Sequence, residues 1–176
     1  MEKTWIIDPV HSVIGFKVKH MVVTYFRGTF RKFDSTAITN GDNFTDAKII
    51  FTADVRGIQT NNPQRETHLM SDDFFNAEKY PQIKFESTSF RRIEGDLWML
   101  SGYLTIRDAT KPVELVVTYG GKLHSSSGED RIGFEAEGKV NRKDFGLKWD
   151  VLTELGGAVV GDEVSLLINV EYTSKS

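Results

Sequence analysis

The chain has 176 residues, of which 39% are hydrophobic and 27% charged, so it has the length and composition of one globular domain (residues 1–176). Its 22 basic and 25 acidic side chains give a net charge of −3, which gives no reason to expect nucleic acid or an anionic membrane as partner. The absence of cysteine excludes disulfides, thiol catalysis and thiolate metal sites.

The chain shows no sign of a membrane span or of a secretory signal. No apolar run approaches the roughly 20 residues that a transmembrane helix needs, so we expect no transmembrane segment. The first residues, "MEKTWIID", lack the apolar core of a secretory signal. We therefore expect a cytoplasmic protein from the sequence as written, or a periplasmic one if a leader has been removed.

Hydrophobic and polar residues alternate along most of the chain. In "VIGFKVKH" (13–20), Ile14, Phe16 and Val18 share one face with His20, whereas the two lysines point the other way. A period of two is typical of half-buried antiparallel strands. The same alternation predicts these further inward-facing side chains: Phe30, Ile49, Phe51, Ala53, Val55, Ile83, Phe85, Leu104, Ile106, Val113, Leu115, Val117, Ile132, Phe134, Ala136, Val140, Val164, Leu166, Ile168 and Val170.

One short helix interrupts the strands. Asn62 is a good N-cap, and Pro63 fits the first helical position, where its missing N–H costs nothing. The spacing predicts a helix that runs to about Met70 and ends well before Pro81. On a barrel, such an insertion must lie at an open end or cross the outside.

The strands follow one another through turn-like stretches such as "NGDN" (40–43) and "HSSSGED" (124–130). About eight amphipathic strands in series fold either as a sandwich or as a closed barrel. Closure removes exposed edges, and an eight-stranded barrel has room for side chains or for one ligand. We therefore predict an all-β fold, an antiparallel eight-stranded barrel with a short helical insertion.

The polar residues give little support for catalysis or metal binding. The four histidines (His11, His20, His68 and His124) include no pair with the spacing of a zinc site, so we expect no metal and no cofactor. Ser12 beside His11 lacks the glycines of a nucleophile elbow. The acids Glu66, Asp72 and Asp73 could act as an acid–base pair, but acids near a helix start usually serve as caps. We expect a protein that is not an enzyme.

The interior admits two interpretations. The inward phenylalanines form either a filled core or the wall of an elongated apolar cavity, and periodicity alone cannot choose between them. His20 shares the inward parity, so it is either a hydrogen-bonded core residue or a contact for the polar end of a ligand.

Several ordered motifs resemble the YceI-like family, often called polyisoprenoid-binding proteins. They span nearly the whole chain: "WIIDPVHSVIGFKVKH" (5–20), "FRGTF" (26–30), "RETHLMSDDFFNAEKYPQIKFES" (65–87), "GYLTIRDATKPVEL" (102–115), "NRKDFGLKW" (141–149) and "VGDEVSLLINVEY" (160–172). The resemblance implies a lipocalin-like barrel with a long apolar pocket, and a helical insertion that packs near its mouth. Many family members carry a secretory leader, and from the first residues as written we expect none here.

The resemblance implies non-catalytic binding, transport or storage of a long apolar molecule, an isoprenoid or a fatty-acid-like chain. A packed structural module, or less readily an enzyme acting on a lipid-like substrate, remains the alternative. Nothing in the sequence decides between a monomer and a homodimer. We predict that the ligand-binding residues are Phe16, Val18, His20, Phe30, Phe51, Arg65, His68, Phe74, Phe85, Leu104, Phe134, Phe145, Leu147 and Trp149.

Overall fold

Eleven β-strands and one α-helix form the described part of the protein. The computed structural model describes residues 1–20, 24–148 and 160–175, without the side chains of His20 and Lys175. The elements in chain order are β1 (Glu2–Ile7), β2 (Val13–His20), β3 (Thr24–Phe30), β4 (Phe33–Asn40), β5 (Asn43–Asp54), β6 (Ile58–Gln59), α1 (Pro63–Met70), β7 (Gln82–Glu94), β8 (Leu97–Ile106), β9 (Ala109–His124), β10 (Glu129–Asn141) and β11 (Val160–Lys175).

The eleven strands occupy eight positions in one closed antiparallel sheet. β1 continues into β2, β3 into β4 and β5 into β6, so each of these pairs shares one position in the wall. The ring closes because β1 pairs with β4 on one side and with β11 on the other, where Ile6 lies opposite Thr36 and Thr173. The predicted eight-stranded antiparallel barrel is thereby confirmed.

Short 3-10 turns interrupt two of the shared wall positions. Pro9–His11 separates β1 from β2, and Val55–Gly57 separates β5 from β6. An aspartate caps each turn: Asp8 accepts a hydrogen bond from the Val10 backbone N–H at 3.0 Å, and Asp54 accepts one from that of Arg56 at 2.9 Å. Such local side-chain bonds compete with the sheet ladder, which explains two of the three interruptions that divide eight wall positions into eleven strands. The third lies at residues 31–32, between β3 and β4.

The helix forms where the sequence predicts it. The Asn62 side chain accepts a hydrogen bond from the Arg65 backbone N–H at 3.1 Å, and Pro63 opens the first turn. Glu66 accepts from the backbone N–H groups of Thr60 at 2.7 Å and Asn62 at 3.3 Å, and these bonds lower the pKa of its carboxyl. Glu66 is therefore engaged in capping. None of the helices in the described ranges has the length and hydropathy to cross a bilayer.

The two ends of the barrel differ. At the closed end, near the turns that join β4 to β5 and β7 to β8, aromatic rings pack in a chain of contacts between 4.9 and 5.8 Å. This floor cluster consists of Trp5, Phe44, Phe90, Trp98, Tyr119 and Phe134. The opposite, helical end carries α1, the β8–β9 turn and the first residues of β11.

Ion pairs tie the strands together around the closed end. Lys3 Nζ donates to Asp42 at 2.8 Å and to Asp130 at 2.5 Å. Lys122 also contacts Asp42, and His124 contacts Asp130. Asp130 is buried, and its hydrogen bonds with Lys3 first and His124 second lower its pKa to about 2. The network joins β1, β9 and β10 to the turn between β4 and β5.

Candidate ligand-binding cavity

A cavity of about 210 Å³ lies inside the barrel. It extends from Leu69, Phe74 and Phe75 at the helical end to Phe90 and Phe134 of the floor cluster. Among its described lining residues, only Arg142 and Tyr172 carry polar side-chain atoms. The volume greatly exceeds the ~10–15 Å³ that one water needs, but the wall offers almost no hydrogen-bond partners to hold water in place.

The inward side chains of β11 show that the interior is not solid. Val164, Leu166, Ile168 and Val170 all point inward and line the cavity, but each is only half-buried. By contrast, Phe16 on the neighbouring strand is buried. These four side chains border the empty volume, and none of them is buried as a filled core would require. Of the two interpretations of the inward face, the structure therefore shows the cavity.

The structure brings most of the predicted site residues together on this wall. Those that line the cavity are Phe16, Val18, Phe30, Phe51, Phe74, Phe85, Leu104, Phe134, Phe145 and Leu147. Trp149 lies outside the described residues, as does the side chain of His20 at the end of β2.

Arg65 and His68 were predicted as polar ligand contacts, but neither belongs to the described lining. The Arg65 guanidinium lies 4.5 Å from the ring centroid of Phe26, which does line the cavity. The His68 Nε2 lies 2.8 Å from an oxygen of Asp73, and its ring meets that of Phe74 edge-on. Each side chain therefore contacts a residue that lines the cavity without lining it itself.

Residues 71–80, here called the strap, cover the helical end of the cavity. Phe74 and Phe75 project inward from the strap, and Phe75 packs edge-on against Phe30 at 6.2 Å between centroids. Arg107, in the β8–β9 turn, donates from Nη1 to the backbone carbonyls of Asp72 at 3.2 Å and Phe74 at 3.0 Å. The strap is thus held from across the barrel end.

Arg142 is a buried cation in the cavity wall that the sequence-based set did not include. Its Nε donates to the Gly161 carbonyl at 2.8 Å, Nη1 to that of Leu147 at 2.6 Å and Nη2 to that of Val160 at 3.1 Å. Its guanidinium lies 5.8 Å from the Phe74 ring centroid. It therefore fixes the turn after β10 against the start of β11. Val140 faces inward in β10, and residues two apart in a strand share a face. The same alternation, extended by two residues, could have placed Arg142 on the inner side.

Comparison with known proteins decides the family. The YceI-like domain model matches residues 5–172. The chain belongs to the YceI-like family. Protein YceI of Escherichia coli O157:H7 is 39% identical over 161 residues, which cover 92% of this chain and 81% of that protein.

Solved structures show the same barrel. The YceI protein of Campylobacter jejuni superposes on this YceI-like chain with a TM-score of 0.77 and 29% identity over 90% of each chain. A domain from Saccharophagus degradans, described as polyisoprenoid-binding, gives a TM-score of 0.70 at 14% identity over 97% of this chain and 98% of that one. At that identity the second likeness shows the fold alone.

The second polar side chain of the YceI-like cavity is Tyr172. Its hydroxyl is 2.7 Å from Ser35 Oγ, and burial raises its pKa to about 12. It stays neutral over the physiological range. The hydroxyl is therefore already hydrogen-bonded by the protein, and the Tyr172 ring contributes apolar surface to the wall.

Outside the YceI-like barrel, Asp8, His11 and Glu171 place potential metal-ligating atoms within 4.8 Å of one another. Arg131 Nη1 donates to Asp8 at 3.0 Å and to Glu171 at 2.5 Å. The hydrogen bonds from His11 first and Arg131 second lower the pKa of Asp8 to about 2. The guanidinium thus bridges the two carboxylates, and the cluster joins the first wall strand to the last.

Proposed function

We propose that this YceI-like barrel binds a long apolar molecule in its interior and carries or stores it without changing it chemically. The observation that carries the proposal is the cavity itself. It extends from the strap to the floor cluster, and its described wall is apolar apart from Arg142 and Tyr172. An extended hydrocarbon chain is the ligand that such a wall suits best.

Burial of hydrocarbon supplies enough free energy for useful binding. Transfer of a methylene from water contributes about 0.8 kcal/mol, so about 20 of them contribute on the order of 16 kcal/mol. Loss of translational freedom and ordering of the chain oppose this by roughly 4–15 kcal/mol. The balance of about 1–12 kcal/mol leaves binding favourable without a charged contact with the ligand.

The polar atoms of the wall support binding over catalysis. The guanidinium of Arg142 is engaged by backbone carbonyls, and the Tyr172 hydroxyl by Ser35. General acid–base catalysis needs a group that can exchange a proton with the substrate near its own pKa. The described lining contains no carboxylate and no imidazole.

Isoprenoid chains are the first ligand class to test. The motifs that resemble the polyisoprenoid-binding family and the Saccharophagus degradans neighbour described as polyisoprenoid-binding both support this choice. Fatty-acid-like chains share the same chemistry and form the second class.

The test is organic extraction of freshly purified protein, with native mass spectrometry of the intact complex. We expect a long-chain isoprenoid or a similar lipid at up to one molecule per chain. In Phe51→Glu a charge replaces a wall residue, so that variant should retain no ligand. Ile50→Glu is the matched control, because Ile50 is the adjacent residue and is 45% exposed. If folded wild-type protein carries no lipid and takes up no added isoprenoid or fatty acid, the proposal fails.

A further inference from the structure

The β2–β3 hairpin concentrates positive charge on the outer face of the barrel. Lys17 lies directly opposite Arg27, and Lys19 lies directly opposite Tyr25. Residues 9–33 contain five of the chain's 22 lysines and arginines and none of its 25 acids. The overall charge of −3 therefore conceals a strongly basic segment in an otherwise acidic protein.

This arrangement costs stability within the fold. Like charges that face each other directly across two strands repel one another. None of the ion pairs among the described residues involves Lys17, Lys19 or Arg27. The lysines instead flank Tyr25, with Nζ atoms 4.9 and 6.0 Å from its ring centroid. These cations therefore contribute little to the stability of the fold. Their arrangement instead suits the binding of an external anion.

The same two strands also form part of the cavity wall. Phe16 and Val18 of β2 and Phe26 of β3 point inward and line the cavity, whereas Lys17, Arg27 and the half-exposed Tyr25 face outward. The basic face and the apolar interior are thus two sides of one hairpin, which ends beside the helical end of the barrel.

We propose that the outer face of the β2–β3 hairpin docks on the surface of an anionic lipid bilayer. Lysine and arginine are attracted by anionic headgroups, and tyrosine favours the boundary between headgroups and hydrocarbon. The acidic remainder of the chain is repelled by the same surface, so the barrel approaches it hairpin first. The choice of a bilayer rests on the proposed function, because an apolar ligand must be collected from or delivered to lipid.

A membrane fits these observations better than nucleic acid. An aromatic side chain flanked by cations suits both a headgroup layer and an exposed base. However, the inner face of this hairpin borders an apolar cavity, and only a lipid surface can exchange molecules with it.

Vesicle flotation provides the test. The vesicles contain phosphatidylcholine with phosphatidylglycerol at about 3:1, or phosphatidylcholine alone. Wild-type protein should float with the anionic vesicles only, and added salt should release it because counterions screen exposed charges. The hairpin variant carries Lys17→Gln, Lys19→Gln and Arg27→Gln. Each cation should contribute about fivefold to the affinity for anionic vesicles, so the loss of three should lower that affinity by about 100-fold.

A second triple variant controls for net charge. Lys48→Gln, Lys84→Gln and Lys111→Gln remove three exposed cations from β5, β7 and β9. This control should lose no more than about fivefold, because it changes the total charge but leaves the hairpin intact. Equal losses in the two variants overturn the proposal, and so does a wild-type protein that binds duplex DNA but no vesicles.

The ligand measurement separates this proposal from the preceding one. The hairpin variant should still contain the lipid that wild-type protein retains, since its altered side chains point outward. Empty wild-type protein that still floats with anionic vesicles contradicts only the proposed function, and loaded wild-type protein that never floats contradicts only the docking.

Discussion

Arg107 donates a hydrogen bond from Nη1 to the backbone carbonyl of Phe74 across 3.0 Å, and the ring of Phe74 lines the cavity. This contact connects the β8–β9 turn to the strap. Arg107 has φ = +56°, in the left-handed region that non-glycine residues rarely adopt. Its side chain therefore holds the strap from a backbone position that is itself strained.

Removal of the Arg107 side chain should speed ligand release. Hydrogen bonds that involve a charged group contribute about 1.5–3 kcal/mol, so Arg107→Ala should raise the dissociation rate of a fluorescent long-chain probe by about tenfold or more. Stopped-flow dissociation measures this rate, and amide hydrogen exchange should become faster across residues 71–80.

Arg107→Gly separates the effect of backbone strain from the effect of the lost side chain at the same position. Glycine removes the same hydrogen bonds but relieves the left-handed strain, so it should be about 1–2 kcal/mol more stable than Arg107→Ala in urea unfolding. Arg92→Ala is the control, because Arg92 Nε donates to the Gly95 carbonyl in a turn at the closed end. An Arg92 variant that releases the probe as fast as Arg107→Ala would contradict a specific role of the strap.

The floor cluster should set the longest chain that the cavity accepts. Phe134 lines the cavity and contacts the rings of Phe44, Phe90 and Tyr119. Phe134→Ala should deepen the cavity and shift the preference among saturated fatty acids toward longer chains, at a cost of about 3–5 kcal/mol in stability.

Phe145→Ala tests whether this shift depends on position. Phe145 is fully buried and lines the same cavity near the helical end. The substitution removes the same volume and should cost similar stability, but it should leave the length limit unchanged. A titration across chain lengths measures both variants, and the same shift in both would argue against a floor.

Gly28 should be required for the shape of the cavity wall. It is the direct cross-strand partner of Phe16, and a Cβ at this position would lie 2.4 Å from the Phe16 Cζ. Gly28→Ala should therefore displace the ring of Phe16, weaken ligand binding and cost about 1–3 kcal/mol. In the control Gly133→Ala, the nearest atom to the new Cβ is a carbonyl oxygen at 3.8 Å. Thermal unfolding and probe affinity measure both variants. Equal values for the two would disprove the close packing of Gly28 against Phe16.

The Asp130 cluster predicts how stability depends on pH. The pKa of Asp130 is lowered from 3.8 to about 2, so the native state binds this proton less readily than the unfolded chain does. The contribution of Asp130 is therefore fully present above pH 3.8 and is lost as the pH falls through about 2.

Asp130→Asn should accordingly be less stable than wild type near neutral pH, and the difference should shrink between about pH 4 and pH 2. Urea unfolding at a series of pH values measures it. Glu94→Gln, at an exposed carboxylate, controls for the loss of one negative charge. A difference between Asp130→Asn and wild type that stays constant down to the lowest pH would exclude the network as its cause.

Local sequence signals predicted the strands and the helix well. A period of two correctly assigned Val164, Leu166, Ile168 and Val170 to the inner face, because successive side chains in a strand must alternate. Asn62 and Pro63 placed the start of α1 correctly, because cap chemistry involves only residues within one turn.

Features that depend on distant contacts could not be predicted in the same way. A solid core and a cavity need the same inward residues, so only the packed barrel distinguishes them. The contact between Arg107 and the strap joins residues 33 positions apart, and no local pattern indicates it. Arg65 and His68 were given ligand-facing roles from the motif that resembles the family, and only the packed structure shows that neither belongs to the described lining.

The position of β11 in the wall has a consequence for protein synthesis. This strand pairs with β10 along one side and with β2 and β1 along the other. Until the ribosome has released β11, the nascent sheet keeps two unpaired edges and an exposed apolar surface. Both features promote aggregation. The nascent chain is therefore most vulnerable in the interval between the emergence of β10 and the release of β11 from the ribosome.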